Sequence, residues 1–383
     1  MAIKTRNKST NSNSKTNIGS IALLVSRYLV AIVFIFSGFV KAIDPLGFTY
    51  KIEDYLRAFG GIYESFAVVA FPSAILLSTL ELFIGLNLLL KVHIKLTSIL
   101  ALLFMLVMTP LTLYIALNNP VTDCGCFGDA LVISNWATFY KNLVLITLII
   151  TLLILNKKIA NSLKPKAQTI ISLAFIGVGV GLSIYCYLYL PLIDFRPYKI
   201  GVNIPNAMLI PENAPTDEYS TNFIYEKNGV QKEFTLENYP KGDSTWKFVD
   251  QKSVLLSKGY VPPIHDFTIV NGQFDDITEK IIYNQDSTYL LIMFDVNKSS
   301  EEGAKKAEVI YQKALKSGIT FYALTGSVDE DVQDFIQKTG VTFPFCKTDP
   351  ITLKTIIRAN PGLVLIKNGT VVNKWNWRDF ETN

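Results

Sequence analysis

The chain has 383 residues; half are hydrophobic, 18% are charged, and the net charge is +4. Soluble proteins carry about 25% charged residues, so the composition excludes an ordinary water-soluble chain, and the scattered basic residues offer no nucleic-acid face. Four cysteines (Cys124, Cys126, Cys186 and Cys346) are too few for a disulfide scaffold, so only their placement is informative.

The apolar excess lies before about residue 190. Residues 1–17, rich in Ser, Asn, Thr and Lys, read as a disordered tail. Five stretches then meet the roughly 20 apolar residues a spanning helix needs: 18–43, 66–90, 94–117, 136–155 and 168–190. The first is too long for a signal-peptide core and has no small-residue cleavage site after it, so it reads as a retained helix. Lys4, Arg6, Lys8 and Lys15, then Lys91 and Lys95, then Lys157, Lys158, Lys164 and Lys166 fall on one side of alternating helices. The other side has Lys51 and Arg57 in one loop and no basic residue in the next. This asymmetry predicts a cytoplasmic N-terminus, with the Cys124 loop and everything after residue 190 outside.

In the first outer loop, Ile52, Tyr55, Leu56, Phe59 and Ile62 recur at helical spacing among Lys51, Glu53, Asp54 and Arg57. The pattern predicts an amphipathic helix at the membrane surface. Of the charges inside the apolar stretches, Lys41 near the outer end of the first and Glu81 well inside the second bear on function. Lys41 either snorkels to the interface or pairs with Glu81. Glu81, costly in lipid, reads as half of a structural ion pair or as a proton-handling acid.

The loop after the third apolar stretch contains Asp123-Cys124-Gly125-Cys126-Phe127-Gly128-Asp129. On the outer, oxidising side such a pair can form a small strained disulfide, hence a reducible and oxidising one. Gly125 supplies backbone freedom for it, while Asp123 and Asp129 would raise the thiol pKa values. Three readings stand: redox exchange through Cys124 and Cys126, a static clasp, and a metal site. Two thiolates with no nearby histidine make a poor metal set, so no metal is expected. Cys186 is expected to be a buried apolar residue, although its position near the outer end of the fifth stretch would let it reach the same surface.

Ser37-Gly38-Phe39-Val40-Lys41-Ala42-Ile43-Asp44-Pro45, Leu80-Glu81-Leu82-Phe83-Ile84-Gly85-Leu86 and Cys124-Gly125-Cys126-Phe127-Gly128 resemble signatures of the DoxX superfamily, and more closely of its methylamine-utilisation MauE branch. The resemblance covers about residues 20–155 and implies a four-helix membrane unit. Its implied role is redox or disulfide maturation of periplasmic proteins in a bacterial inner membrane. By analogy with other membrane thiol oxidases a quinone would accept the electrons, though no quinone motif is visible.

Beyond residue 190, Phe223–Val230 reads as a β-hairpin turning at Asn228-Gly229, and Trp246 suggests a small packed unit. Pro262-Pro263 marks a boundary. Strands are expected at 289–295 and 319–325, helices at 301–317 and 329–339, and a closing hairpin at 362–367 and 370–375 around Asn368-Gly369. The order resembles the thioredoxin-like fold, particularly its peroxiredoxin and TlpA-like branch. Asn360-Pro361 stands where that family has a cis-proline, and the groove beside both residues is the expected client-binding site. Where the family carries Cys-x-x-Cys, this chain reads Asp295-Val296-Asn297-Lys298-Ser299-Ser300. The domain therefore cannot run dithiol exchange alone. Cys346, expected in a loop, reads as a buried free thiol, His265 as a strand residue and His93 as a solvated turn residue.

The expected organisation is a cytoplasmic tail (1–17), a DoxX/MauE-like four-helix transmembrane domain (18–155), a loop and fifth transmembrane helix (156–190), an outer extension with a hairpin (191–262) and a soluble α/β thioredoxin-like domain (263–383). Two functions compete. One is an inner-membrane thiol-disulfide oxidoreductase component acting on a periplasmic or envelope protein. The other is a non-enzymatic membrane-anchored scaffold or subunit of an envelope complex, with the cysteines as a clasp.

Overall fold

The computed structural model describes residues 11–155, 163–257 and 259–381. Lys4, Arg6, Lys8, Lys157 and Lys158 of the charge argument lie outside them, as does the expected disordered tail up to residue 10. Among the described residues five helices are long and apolar enough to cross a membrane, at Gly19–Ile43, Gly61–Leu89, Ile94–Asn118, Asn135–Leu155 and Pro165–Leu188. The first belongs to α1 (Asn11–Ile43). The outer loop forms α2 (Pro45–Phe59), with Pro45 at its first position and the Asp44 carboxylate capping the Gly47 N–H at 2.9 Å. A 3-10 stretch, Gly61–Val69, runs straight into α3 (Ala70–Leu89), so the second span begins earlier than its apolar run suggests. α4 (Ile94–Asn118), α5 (Asn135–Leu155) and α6 (Pro165–Leu188) complete the membrane part.

α1 and α3 pack closely because Gly38 has no side chain: a Cβ there would lie 2.5 Å from the Leu82 nitrogen and 2.8 Å from the Ser78 oxygen. The apolar core of this part includes Val30, Phe34, Ile84, Leu88, Met105 and Ile149. Polar links join the helices inside it. Asn142 donates to Thr112 at 3.1 Å, and Ser172 donates to Asn87 at 2.9 Å. Arg27, 3% exposed, is a further buried charge in the first span; its guanidinium donates to the carbonyls of Leu88 and Leu89 in the last turn of α3.

After α6 the chain forms α7 (Ile204–Met208) and then a three-stranded antiparallel sheet, β2-β1-β3. Its strands are β1 (Glu218–Lys227), β2 (Val230–Thr235) and β3 (Lys247–Ser257). The expected hairpin turns at Asn228 and Gly229, both with positive φ. Tyr225 packs edge-on to Phe234 and Phe248, and Phe234 to Trp246.

The remaining chain gives α8 (Thr278–Ile282), β4 (Ser287–Ile292), α9 (Glu301–Lys316), β5 (Thr320–Thr325), α10 (Asp329–Thr339), β6 (Phe345–Lys347), α11 (Pro350–Ile356), β7 (Gly362–Lys367) and β8 (Thr370–Asn376). The sheet order is β6-β5-β4-β7-β8, with β4, β5 and β6 parallel and β7 and β8 antiparallel. Strand alternation splits the core in two. Leu290 and Ile292 join Leu353 and Ile356 of α11 on one face; Leu291 joins Ala304 and Ala307 of α9 and Phe335 of α10 on the other. Helices on both faces of this strand order make a thioredoxin-like domain. Cys346 is buried in β6, not in a loop, and His265 is an exposed loop residue whose Nε2 lies 3.0 Å from the Asp266 carboxylate, not a strand residue.

The two parts meet at one end of the helical bundle. The segment after α6 runs along the outer edge of β8, where Gly201 donates to Val371 and Val371 to Val202. Asn376 and Arg378 donate to the Tyr189 and Leu188 carbonyls at the end of α6.

Candidate functional site

The Cys124–Cys126 loop is fixed from three helices. From α2, Tyr55 donates to the Cys124 carbonyl at 2.5 Å and Lys51 pairs with Asp123 at 3.1 Å. From α1, Ser37 donates to the Cys126 carbonyl at 2.7 Å. From α5, Lys141 lies 4.3 Å over the ring of Phe127, which packs on Phe36. The loop also holds itself: Gly125 adopts φ +63° and its N–H donates to Asp123 at 2.8 Å. The two sulfurs are 3.1 Å apart, beyond the roughly 2.05 Å of a disulfide bond, so the pair stands as two thiols.

The thiols are not equivalent. The Cys124 thiol donating to it, with Lys141 and Lys41 nearby, outweighs burial and lowers Cys126 to about 6. The same hydrogen bond and burial push Cys124 up. The two titrate as one unit. The expectation that Asp123 and Asp129 would leave both thiols unactivated is corrected for Cys126, because both carboxylates face cations: Asp123 meets Lys51, and Asp129 meets Arg358 at 3.5 Å.

Beneath the loop, Lys41 Nζ lies 2.7 and 3.0 Å from the Glu81 oxygens and donates to Ser37 Oγ at 3.2 Å. Both charges are inside the protein, Lys41 at 7% and Glu81 at 3% exposure, so Lys41 does not reach out to the interface. Above the loop a second charged cluster joins the two parts of the chain. Arg358 donates through Nε to both Asp44 oxygens, at 2.9 and 3.0 Å. Asp194 bridges Arg196 at 2.8 Å and Lys374 at 2.9 Å. Burial pushes Asp44 and Asp194 up, but the facing cations (Arg358 and Arg196 for Asp44, Arg196 and Lys374 for Asp194) win and hold both below the ordinary range. Between the clusters lies a cavity of about 60 Å³ lined by Lys41, Lys51, Asp44, Asp123, Asp129 and Arg358. That is room for about four waters.

Asn360-Pro361 is cis. The Asn360 side chain donates to the Asp295 carbonyl at 2.7 Å, and its backbone carbonyl accepts from the Ser300 N–H at 3.1 Å. Ser300 in turn caps α9. The segment standing in place of Cys-x-x-Cys is thus tied to the cis-proline turn. Both border a cleft of about 850 Å³ whose far wall is α2, through Leu46, Tyr50 and Glu53. Among the described residues, the buried atoms Ser299 Oγ and Asn360 Oδ1 have no hydrogen-bond partner. The expected surface helix α2 therefore stands between the cysteine loop and this cleft. None of Ser37, Asp44, Lys51, Tyr55, Lys141 and Arg358 is a site residue from sequence: Ser37 and Asp44 lie in the stretch that resembles the family signature and Lys51 and Tyr55 in the amphipathic pattern, while Lys141 and Arg358 carry no local signal.

Residues 19–155 match the family model of methylamine utilisation protein MauE. The membrane part is MauE-like. Residues 219–258, the three-stranded sheet, match a domain of unknown function (DUF8463). No curated protein matches the chain. The solution structure of a putative protein disulfide isomerase from Bacteroides thetaiotaomicron is 19% identical, covering 30% of this chain and 76% of its own, with a TM-score of 0.25. At that score the likeness carries no argument, and the thioredoxin-like assignment rests on strand order and helix placement.

Proposed function

We propose that the chain is a redox component of a bacterial inner membrane, exchanging disulfides with a protein client through Cys124 and Cys126. In this reading the N-terminus is cytoplasmic, the cysteine loop and thioredoxin-like domain are periplasmic, and the client lies in the cleft beside Asn360 and Pro361. A wider kinship with DoxX proteins belongs to the same reading. The observation that carries it is the asymmetric thiol pair, 3.1 Å apart in a loop pinned by Ser37, Tyr55 and Lys51.

The asymmetry assigns the roles. The lower-pKa thiol is the better leaving group. A client thiolate attacks the oxidised pair at Cys124, forming a client–Cys124 disulfide and expelling Cys126 as a thiolate. A second client thiolate then attacks the client sulfur of that mixed disulfide, closing the client disulfide and releasing Cys124. The pair gains two electrons; Cys124 takes up one of the two protons the client thiols lose, and the other goes to solvent while Cys126 stays a thiolate above about pH 6. Reoxidation passes the two electrons, with two protons, to an acceptor of the quinone class, approached from lipid beside Phe36, which is partly exposed and packed at a tilt against Phe127.

The test is trapping in intact cells. Cys126→Ser should accumulate client–Cys124 mixed disulfides that dithiothreitol releases, and Cys124→Ser should accumulate fewer. The absence of Cys-x-x-Cys favours a second reading, a membrane-anchored scaffold with a static clasp. A pair that stays oxidised at strongly reducing potentials, with both serine variants fully functional, would establish that reading instead.

A further inference from the structure

Glu81, Lys41 and Cys126 line up from the middle of the helical bundle to the loop. Lys41 touches both Glu81 oxygens, and Ser37 Oγ links Lys41 to the Cys126 backbone. The Phe48 ring lies 4.9 Å from Lys41 Nζ. One buried cation is thus bonded to a carboxylate and reaches, through Ser37 and the Cys126 carbonyl, the residue that carries the thiol, on which its charge acts. Buried charge without a partner is expensive, so two anions sharing one cation compete for it.

We propose that Lys41 is the shared counterion of Glu81 and Cys126, so that the Lys41–Glu81 pair sets how readily Cys126 becomes a thiolate. Both are positioning residues: neither exchanges electrons, and each acts through the sulfur. The proposal rests on the exchange reading for its use, but not for its geometry.

Other charged groups face the same sulfur. Cys124 donates to it, and Lys141 approaches from α5; Lys141 is half-buried and stands over the Phe127 ring. Asp123 and Lys51 neutralise each other across the loop and α2, and Tyr55 is committed to the Cys124 carbonyl. Lys41 and Glu81 are the two buried deepest, where water screens least.

The two members of the pair act on Cys126 with opposite sign. Lys41→Met removes the cation and leaves Glu81 facing the sulfur, so the thiolate is disfavoured. Glu81→Gln frees Lys41 to serve Cys126 alone, so the thiolate is favoured. A merely structural pair would give two variants that fail in the same direction.

The experiment uses the full-length protein in lipid nanodiscs, reduced with dithiothreitol, desalted and pulsed with iodoacetamide from pH 5 to 10. Peptide mass spectrometry reads Cys126 and Cys124 separately. The expected result is a Cys126 midpoint raised by at least about one unit in Lys41→Met, a roughly fivefold loss of rate at pH 6, and a lowered midpoint in Glu81→Gln. Lys41→Arg keeps the charge and should stay near the wild type, which separates loss of charge from loss of folding. The double variant should fall between the two single ones. Midpoints that move together, or not at all, would overturn the proposal. A trap that catches no client while the midpoints diverge would remove the exchange reading and leave this inference standing.

Discussion

Replacing Arg358 by Met should loosen the thioredoxin-like domain from the membrane part while leaving each of them folded. Arg358 is 8% exposed at its side chain and makes a two-oxygen contact with Asp44, a further contact with Asp129, and a hydrogen bond to the Lys354 carbonyl. Its guanidinium also lies 5.4 Å from the Tyr50 ring of α2. Removing one partner of a buried ion pair costs about 3–5 kcal/mol, because the other charge is left uncompensated. Asp129 is half exposed, and Asp44 keeps its bond from the Gly47 N–H, so the lower end applies. About 3 kcal/mol is roughly a hundredfold in the ratio of docked to undocked domains. Amide hydrogen exchange on the full chain in nanodiscs reads this at residues 44–59 and 354–361, which should exchange up to a hundredfold faster, while β4 and α4 should not change. Arg358→Met with Asp44→Asn removes both charges and should recover part of the loss. Unchanged exchange at 44–59 in the single variant would refute the view that this contact holds the two parts together.

Three further outcomes follow from the same geometry. Because Cys126 sits near 6 and Cys124 is raised, alkylation of the reduced pair should begin at Cys126 and fade as pH drops through about 6; Lys141→Gln should move that midpoint up. Asp44 and Asp194 are held below their unfolded values, so the docking they contribute is fully present above about pH 4 and is lost as pH falls through their lowered values, which acid titration of the same exchange experiment measures. Gly38→Ala places a methyl 2.5 Å from the Leu82 backbone, so α1 must move off α3 at a cost of about 1–3 kcal/mol, seen as a lower Tm in detergent and a slower Cys126 reaction at pH 6.

What the sequence could and could not say divides along the range of the interactions. The five spans were legible because each is a long apolar run whose signal is local, and the Asn228-Gly229 and Asn368-Gly369 hairpins because a two-residue turn with positive φ is written in two letters. β3 was not, because Asp250-Gln251-Lys252-Ser253 interrupts its apolar residues and its side chains are exposed. β6, at three residues, is too short to carry a period. Arg27 also escaped: in a long apolar run a single arginine reads as tolerated, and only the fold shows it closing the end of α3. Asp44 and Arg358 are separated by 314 positions, and no local pattern can report such a pair.

The hardest feature to foresee was the place of α2. Its helical spacing was plain, and charged residues between apolar ones suggested one face in lipid and one in water. In the fold, Lys51 and Tyr55 point to the cysteine loop, while Leu46, Tyr50 and Glu53 wall the cleft on the other side. At 100° per residue these two sets fall on nearly opposite faces of one helix. A short amphipathic pattern records that a helix has two environments, but not which residues of the fold each of them meets. The consequence is mechanical as well as structural: the helix that holds the Cys124 carbonyl is also a wall of the cleft beside Asn360. A ligand seated there touches α2 directly, about one helix diameter from the thiols, and this is the shortest path by which the thioredoxin-like domain, which has no Cys-x-x-Cys, would bear on the exchange proposed for Cys124 and Cys126.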